Sequence, residues 1–329
     1  MLTWRSGIVI VHNLSESRFG DDQRNRPVEK PRVMITGIGG PAGTAAETFF
    51  QEEGWNIVST DIVHARSGKS DFRLVPGGDD PAFAPALLAL VDEFQPDLLV
   101  PTVSEELQAV ARIRDELRAR GTAVWISDPH AVDTANDKLL TALWLKAQGC
   151  AVPATIAGTG AEDHVAIGSM LGYPFLAKPR VGRGGRGVRL YTTAGEAMSE
   201  TRREIVYQEF VPGQEFDVNL FAHPAGETRT VIVLLKTGMK QGLTGNATGV
   251  RRVERLDVAE AARSAAGKLR LEGPVDMDIR LDAMGTPRIL EINARLGANV
   301  LSAREVLVAI SSFTTQWLVN HAPLHARVA

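Results

Sequence analysis

The chain has 329 residues and a formal net charge of −3, with a sequence pI near 6.2, so no global charge draws it to nucleic acid or anionic lipid and any basic site must be local. Hydrophobic residues make up 44% and charged residues 23%, the balance of an ordinary globular protein of about two or three domains. The single cysteine, Cys150, excludes an internal disulfide framework and a cysteine-rich metal site, and a cytoplasmic location is the default expectation.

Near the N-terminus, GIVIV (residues 7–11) is too short for a secretory apolar core. No apolar run approaches the ~20 residues of a membrane span. Residues 12–32 are polar and charged, and residues 1–30 are expected to form a disordered extension. The first folded unit opens at Pro31. RVMITG predicts a strand, GIGGPAG a glycine turn, and TAAETFFQEEG a helix stopping at Gly54. WNIVSTD predicts a second strand ending in Asp61, PAFAPALLALVDEF a helix, and PDLLVPT a third strand. SEELQAVARIRDELRARG has helical periodicity, and TAVWIS predicts a fourth strand. Strand–helix alternation with short links implies a parallel, doubly wound sheet over residues 31–127.

The pattern changes after Ser127. DPHAVDTANDKLLTALWLKAQG is helical, GYPFLAKP predicts a strand, a glycine-rich run and VRLY follow, and a helix is expected near 194–203. IVYQEFVPGQEFDVNLFA predicts a strand, a Pro-Gly break and a second strand. TVIVLLK is a further strand, VAEAARSAAGKLRL a helix, and VDMDIRLDAMGTPRILEIN a hairpin about a Met-Gly turn. An α+β region, largely antiparallel, therefore follows the parallel unit, with lobes expected at 128–205 and 206–325.

Three stretches carry chemistry. In KPRVGRGGRGVRLY, glycine backbone N–H groups can converge on one anion, Arg183 and Arg186 add charge, and Lys178 ends a strand just upstream. No Gly-Lys-Ser/Thr closes the run, so it is not a Walker A motif. Taken alone, a mobile surface turn explains it equally well. QEFVPGQEFDV is a candidate nucleotide hinge, with backbone near Phe210 and Val211 for an adenine edge and Glu215 for ribose hydroxyls. In the hairpin, alternation puts Asp276, Asp278, Arg280 and Asp282 on one face, and Glu291, Asn293 and Arg295 on one face of the return strand. Oxygen ligands without cysteine suit Mg²⁺ completed by substrate phosphates.

Together these stretches resemble the ATP-grasp superfamily, most closely its carbamoyl-phosphate-synthase-like branch with a preceding Rossmann-like domain. AKPRVGRGGRGV, YQEFVPGQEFDV and GPVDMDIRLDAMGTPRILEINARLG occur in the family's order, and the resemblance spans roughly residues 31–320. It implies an N-terminal parallel domain followed by a two-lobed α+β ATP-grasp domain. It further implies ATP held by Lys138, Lys178, the loop glycines Gly182, Gly184, Gly185 and Gly187, the hinge Glu209, Phe210 and Val211, and Glu215. Asp278, Glu291 and Asn293 match the metal set, for Mg²⁺ with Mn²⁺ as substitute, and Arg295 matches the arginine that steadies the transferred phosphoryl group. The family's usual Asn-Pro-Arg is here Asn293-Ala294-Arg295, and Asp278 stands where relatives often carry Gln or Glu. The implied reaction is ATP-dependent ligation through an acyl-phosphate. Its partners are a small carboxylate and an amine, with neither nucleic acid nor membrane; a homodimer is compatible with this reading.

Two other readings compete. Gly37 to Gly43, after a strand and before a helix, is close to a dinucleotide fingerprint, with Asp61 where a ribose-binding acid would stand, so an NAD(P)-dependent oxidoreductase is an alternative. A non-catalytic nucleotide-binding module is the other. Thr102–Glu106 follows a strand's carboxyl end and is either an acceptor-site loop or a helix cap. Lys236, Lys240 and Thr244 fall in a glycine-rich connection near the expected site, whereas His64, His130 and His164 show no ligand spacing.

Overall fold

The computed structural model describes residues 30–321, apart from 65–70, 159–163, 183, 196–203, 225–227, 229, 242 and 243. The expected N-terminal extension, most of the helix expected near 194–203, and Arg183 lie outside the described residues.

The leading unit is β1 (Arg32–Ile35), α1 (Pro41–Glu52), β2 (Asn56–Asp61), β3 (Asp71–Leu74), α2 (Phe83–Phe94), β4 (Leu98–Val100), α3 (Leu107–Arg112), α4 (Arg114–Ala119) and β5 (Ala123–Val124). Its strands pair in parallel in the order β3-β2-β1-β4-β5. Both faces are covered, as a parallel sheet requires. Met34 packs with Leu87 and Val91 of α2 on one face; Val33 and Ile35 pack with Phe49 and Phe50 of α1 on the other. The order reverses between β1 and β4, which opens a crevice at their carboxyl ends. The glycine turn and the Thr102–Glu106 segment both border it. Pro41 starts α1, where a missing N–H costs nothing. A Cβ on Gly43 would lie 2.4 Å from Gly37 O, so the helix packs onto the turn through glycine. Edge strand β3 was not expected: four residues, none buried, carry no periodic signal.

Next come α5 (Pro129–Asn136), α6 (Lys138–Ala147), β6 (Thr155–Gly158), α7 (His164–Leu171), β7 (Phe175–Pro179), β8 (Arg189–Tyr191) and β9 (Ile205–Glu209). These strands form an antiparallel sheet, β6-β9-β7-β8, so this sheet runs on past residue 205. The last sheet, β12-β11-β10-β13-β14, is antiparallel throughout and uses β10 (Glu215–Ala222), β11 (Thr230–Gln241), β12 (Thr244–Arg252), β13 (Gly273–Leu281) and β14 (Pro287–Asn293). Helix α8 (Leu256–Lys268) covers one face with its alanines. Helix α9 (Arg304–His321) packs with Phe221 of β10 and with the outer face of the leading sheet. The expected glycine-rich connection after Lys236 is strand instead: β11 runs to Gln241 and pairs with β12 through register shifts near Gly238.

Candidate active site

Backbone pairing builds the site. β10 and β13 set Asp217 opposite Asp278, and β13 and β14 set Asp278 opposite Glu291 and Asp276 opposite Asn293. The register slips after Asp278, so Ile279 pairs with Ile289 and Leu290 is the extra residue of a bulge. On β13 the unbroken register with β10 keeps Arg280 on the face of Asp278, as alternation expects, and both line one pocket. Its Nε donates to Glu215 Oε2 (2.5 Å), its Nη1 to the Val211 carbonyl (3.0 Å), and its guanidinium lies over the Phe210 ring. Arg280 thereby braces the hinge. Asp282 lies beyond β13, where its carboxylate accepts the Met284 and Thr286 N–H groups of the turn.

One pocket collects Lys138, Lys178, Gly182, Gly184, Gly185, Glu209, Val211, Glu215, Asp278 and Glu291. Asp137 caps α6 by accepting the Leu139 and Leu140 N–H groups, and its carboxylate also pairs with Arg180. That sets Lys138 at the first position of α6, where Nζ donates to the Gly182 carbonyl (3.0 Å) and lies 3.2 Å from Glu291 Oε2. Lys178, buried at the end of β7, donates to Gln208 Oε1 (2.8 Å). Gly184, Gly185 and Gly187 adopt φ of +66°, +70° and +72°, values open to glycine at little cost. Gly187 and Phe210 do not line this pocket, Phe210 serving as the platform for Arg280. The Glu209 carboxylate accepts the Ala154 N–H (3.0 Å), so its side chain holds β9 to the segment before β6.

Charges alternate through the site. Lys236 of β11 lies between Glu215 Oε1 (2.6 Å) and Asp278 Oδ1 (2.7 Å). Burial opposes its charge, but Asp278 and Glu215 outweigh it and raise its pKa. Burial also raises Glu291, yet Lys138, Lys178 and Lys236 prevail and bring it down to about 2. Lys178 is lowered to about 8, chiefly by burial. Asp278 is raised to about 7 by burial, against the pull of Lys236 and with the repulsion of Glu215 and Glu291. Gln208 and the ion-paired role of Lys236 were not read from the sequence. Gln208 is one polar residue in an apolar strand, and Lys236 needs the β10–β11 register to face Glu215.

Next to this pocket lies a cleft of about 890 Å³, in the size range of small-molecule sites. It shares Gly184, Asp278 and Glu291 with the pocket, adds Asn293, Arg295, Lys236 and Lys240, and reaches the glycine turn, Asp61 and Glu105 of the leading unit. Arg295 donates to Ser104 Oγ (2.9 Å), Leu296 O (2.7 Å) and Asn293 Oδ1 (3.2 Å). Asp61 accepts the Gly39 N–H (2.9 Å) and the Ile62 N–H (2.7 Å). Thr244's side chain is outside the described residues. For Mg²⁺, the donor set of Asp278, Glu291 and Asn293 fits: hard oxygens, with Glu291 held ionised. Among the described residues no group of three or more His, Cys, Asp or Glu is arranged for a metal.

The geometry has counterparts. Residues 135–299, half of the chain, match the family model of the ATP-grasp domain, and this span holds Lys138, Lys178, Glu215, Glu291 and Arg295. Uncharacterized protein y4rH of Sinorhizobium fredii (strain NBRC 101917 / NGR234) is 27% identical over 191 residues, covering 52% of this chain and 38% of that protein. The chain therefore spans well under two thirds of that curated relative. L-amino acid ligase from Bacillus licheniformis superimposes with a TM-score of 0.65 at 18% identity, over 84% of this chain and 70% of the ligase. Biotin carboxylase from Campylobacter jejuni gives 0.62 at 16% identity, over 86% and 70%. N5-carboxyaminoimidazole ribonucleotide synthetase from Thermotoga maritima gives 0.59 at 20% identity, over 80% and 69%. At such identities the structural likenesses speak for the fold. Among the described residues no helix is long and apolar enough to cross a membrane. With the family match spanning both lysines, the hinge and the acidic hairpin, the chain belongs to the ATP-grasp family.

Proposed function

We propose that this chain is an ATP-dependent carboxylate–amine ligase that works through an acyl-phosphate and releases ADP and phosphate. The observation that carries the reading is the continuity of pocket and cleft: the lysine-lined pocket and the larger cleft share Asp278, Glu291 and Gly184. A nucleotide in the first would present its terminal phosphate to a substrate in the second. Within the family, the three ordered motifs favour the carbamoyl-phosphate-synthase-like branch.

Each residue has a task under this reading. The hinge backbone at Glu209 and Val211 holds the adenine. Glu215 accepts from ribose hydroxyls through lone pairs that Lys236 and Arg280 leave over. Lys138, Lys178 and the glycine loop neutralise and enclose the phosphates. Mg²⁺, held by Asp278, Glu291 and Asn293, would supply charge neutralisation on the phosphate oxygens. The substrate carboxylate attacks the γ-phosphorus, the bond to ADP breaks, and Arg295 steadies the oxygens. The amine then attacks the acyl carbon and phosphate departs. Loop closure excludes the water that would hydrolyse the acyl-phosphate. The Gly39 N–H that a dinucleotide pyrophosphate would use is taken by Asp61, which favours the ligase reading over the oxidoreductase one.

A screen of carboxylate–amine pairs for ADP release tests the proposal, with mass analysis of the product. Hydroxylamine in place of the amine is expected to trap a hydroxamate. Formation of AMP and pyrophosphate would overturn the reading, since that is adenylation.

A further inference from the structure

Arg295 follows β14, yet the group that holds its Nε comes from the leading unit. Ser104 Oγ accepts the Nε–H at 2.9 Å across a sequence separation of 191 residues. The Arg295 side chain is only 11% exposed. A guanidinium has five N–H donors. Three are occupied, by Ser104, Leu296 O and Asn293 Oδ1, which leaves one on each terminal nitrogen. The Leu296 and Asn293 contacts are local to the arginine's own strand end, and the Asp276 carboxylate is at 3.9 Å. The Ser104 contact is the one that ties Arg295 to another part of the fold.

Ser104 is itself fixed from both sides. Its carbonyl accepts from Asn136 Nδ2 (3.3 Å), two residues before Lys138. Its neighbours are pinned to the end of β1: Thr102 Oγ1 donates to the Thr36 carbonyl (2.7 Å), and Thr36 Oγ1 donates to the buried carboxylate of Glu106. The cleft is lined by Val103 and Glu105 on either side of Ser104, and Ser104 itself is not among its lining residues. Its hydroxyl turns to the arginine.

We propose that Ser104 is a positioning residue for Arg295: its hydroxyl sets the guanidinium plane so that the two unoccupied N–H groups face the cleft. The leading unit then completes the transfer site. This rests on the ligase reading for Arg295, and the experiment separates the two.

Ser104→Ala and Ser104→Thr are compared with the parent chain in steady-state turnover, once the ADP-release screen has found a substrate pair. The Arg295 Nε–H resonance is followed in parallel by ¹⁵N-edited NMR, assigned by its loss in Arg295→Lys. Ser104→Ala is expected to lower kcat about tenfold, equivalent to about 1.4 kcal/mol, with KM for ATP within about twofold. Ser104→Thr, which keeps the hydroxyl, is expected to restore the rate. The Nε–H signal is expected to be sharp and slow to exchange in the parent and Ser104→Thr, and broadened in Ser104→Ala. Unchanged kcat in Ser104→Ala, equal losses in Ala and Thr, or an Nε–H signal indifferent to Ser104→Ala would each overturn the proposal. If no acid supports ATP turnover by the parent chain, the ligase reading fails while the resonance still decides the role of Ser104. Should Ser104→Ala not fold, Ser104→Cys takes its place: its thiol is a weak acceptor, and the same losses are expected.

Discussion

Lys236 Nζ and Glu215 Oε1 are 2.6 Å apart in a buried ion pair, and the same ammonium reaches Asp278 at 2.7 Å. One lysine thus neutralises an expected ribose-binding acid and an expected metal-binding acid. Both Lys236 and Glu215 have side chains under a tenth exposed, at 5% and 9%. Removing one partner of a buried pair leaves the other uncompensated, at a cost of ~3–5 kcal/mol. Lys236→Met is expected to lose that much in chemical denaturation. Its raised pKa means this contribution is full below the ~10.4 of an unfolded lysine and declines above it, being lost as pH rises through the folded value. Glu215 keeps Arg280 in this variant and Asp278 does not keep a cation, so adding Asp278→Asn to Lys236→Met should recover part of the loss. An additive double mutant would show that the pair with Asp278 is not the cause.

Much of this site was legible because its residues lie in short, ordered motifs. Lys178 beside a glycine loop, the QEFVPGQE hinge and the acidic hairpin each show in one dimension. What was not legible depends on register. The bulge at Leu290 is invisible to alternation, and the bond from Arg280 to the Val211 carbonyl depends on the strands beside it. Gln208 and Lys236 acquire meaning from the strands beside them. In the fold, β1, β2 and β4 carry dense apolar runs, whereas β3 and β6 are four-residue segments without buried side chains and gave no pattern to detect. The helical run 129–149 is two helices because Asp137, extended at φ −97° and ψ 112°, caps the second.

Lys178 sets a pH limit. Burial lowers it to about 8, against the pull of Glu291, so the free protein loses this ammonium as pH rises past 8. A neutral amine no longer attracts phosphate, so kcat/KM for ATP is expected to fall on the alkaline side with a midpoint near 8. Lys178→Arg keeps the charge far beyond that pH and is expected to flatten the limb, at a lower absolute rate. The stability sign is the reverse: between about 8 and ~10.4 the unfolded chain binds more protons, and this group's effect is to raise stability with pH. An unchanged alkaline limb in Lys178→Arg would assign it to another group.

Asp278 sets a proton inventory. At about 7 it is mostly protonated at pH 6, whereas a metal ligand must be a carboxylate. Binding of Mg²⁺–ATP is therefore expected to release close to one proton at pH 6 and little at pH 8. Calorimetry in two buffers of different ionisation enthalpy reads this directly. Because the folded value lies above the unfolded ~3.9, this group alone makes stability decline as pH rises from ~4 to ~7, and metal binding reverses that loss. Asp278→Asn is expected to abolish the release. The same release in Asp278→Asn would mean that Asp278 does not ionise on binding.

Glu291 is the residue on which the metal assignment turns. It pairs across the hairpin with Asp278, lies 3.2 Å from Lys138, and is kept ionised because Lys138, Lys178 and Lys236 together outweigh its burial. A carboxylate so held is charged at every working pH, so Glu291→Gln removes a full negative charge while keeping shape and hydrogen-bonding capacity. If that charge fixes Mg²⁺ on the terminal phosphates, its loss is felt in the transition state more than in the ground state. Electrostatic groups of this kind are worth ~2.7–4 kcal/mol, or ~10²–10³ in rate. Glu291→Gln is expected to lose at least that in kcat, with a smaller change in KM for ATP and with cooperative unfolding retained. Lys138 keeps its bond to the Gly182 carbonyl, which limits the structural cost. Glu53→Gln, at the exposed end of α1, is the control and is expected to leave turnover within about twofold. Near-normal turnover of Glu291→Gln at limiting Mg²⁺ would remove this carboxylate from the metal site and leave the hairpin acids as counter-charges for Lys138 and Lys236.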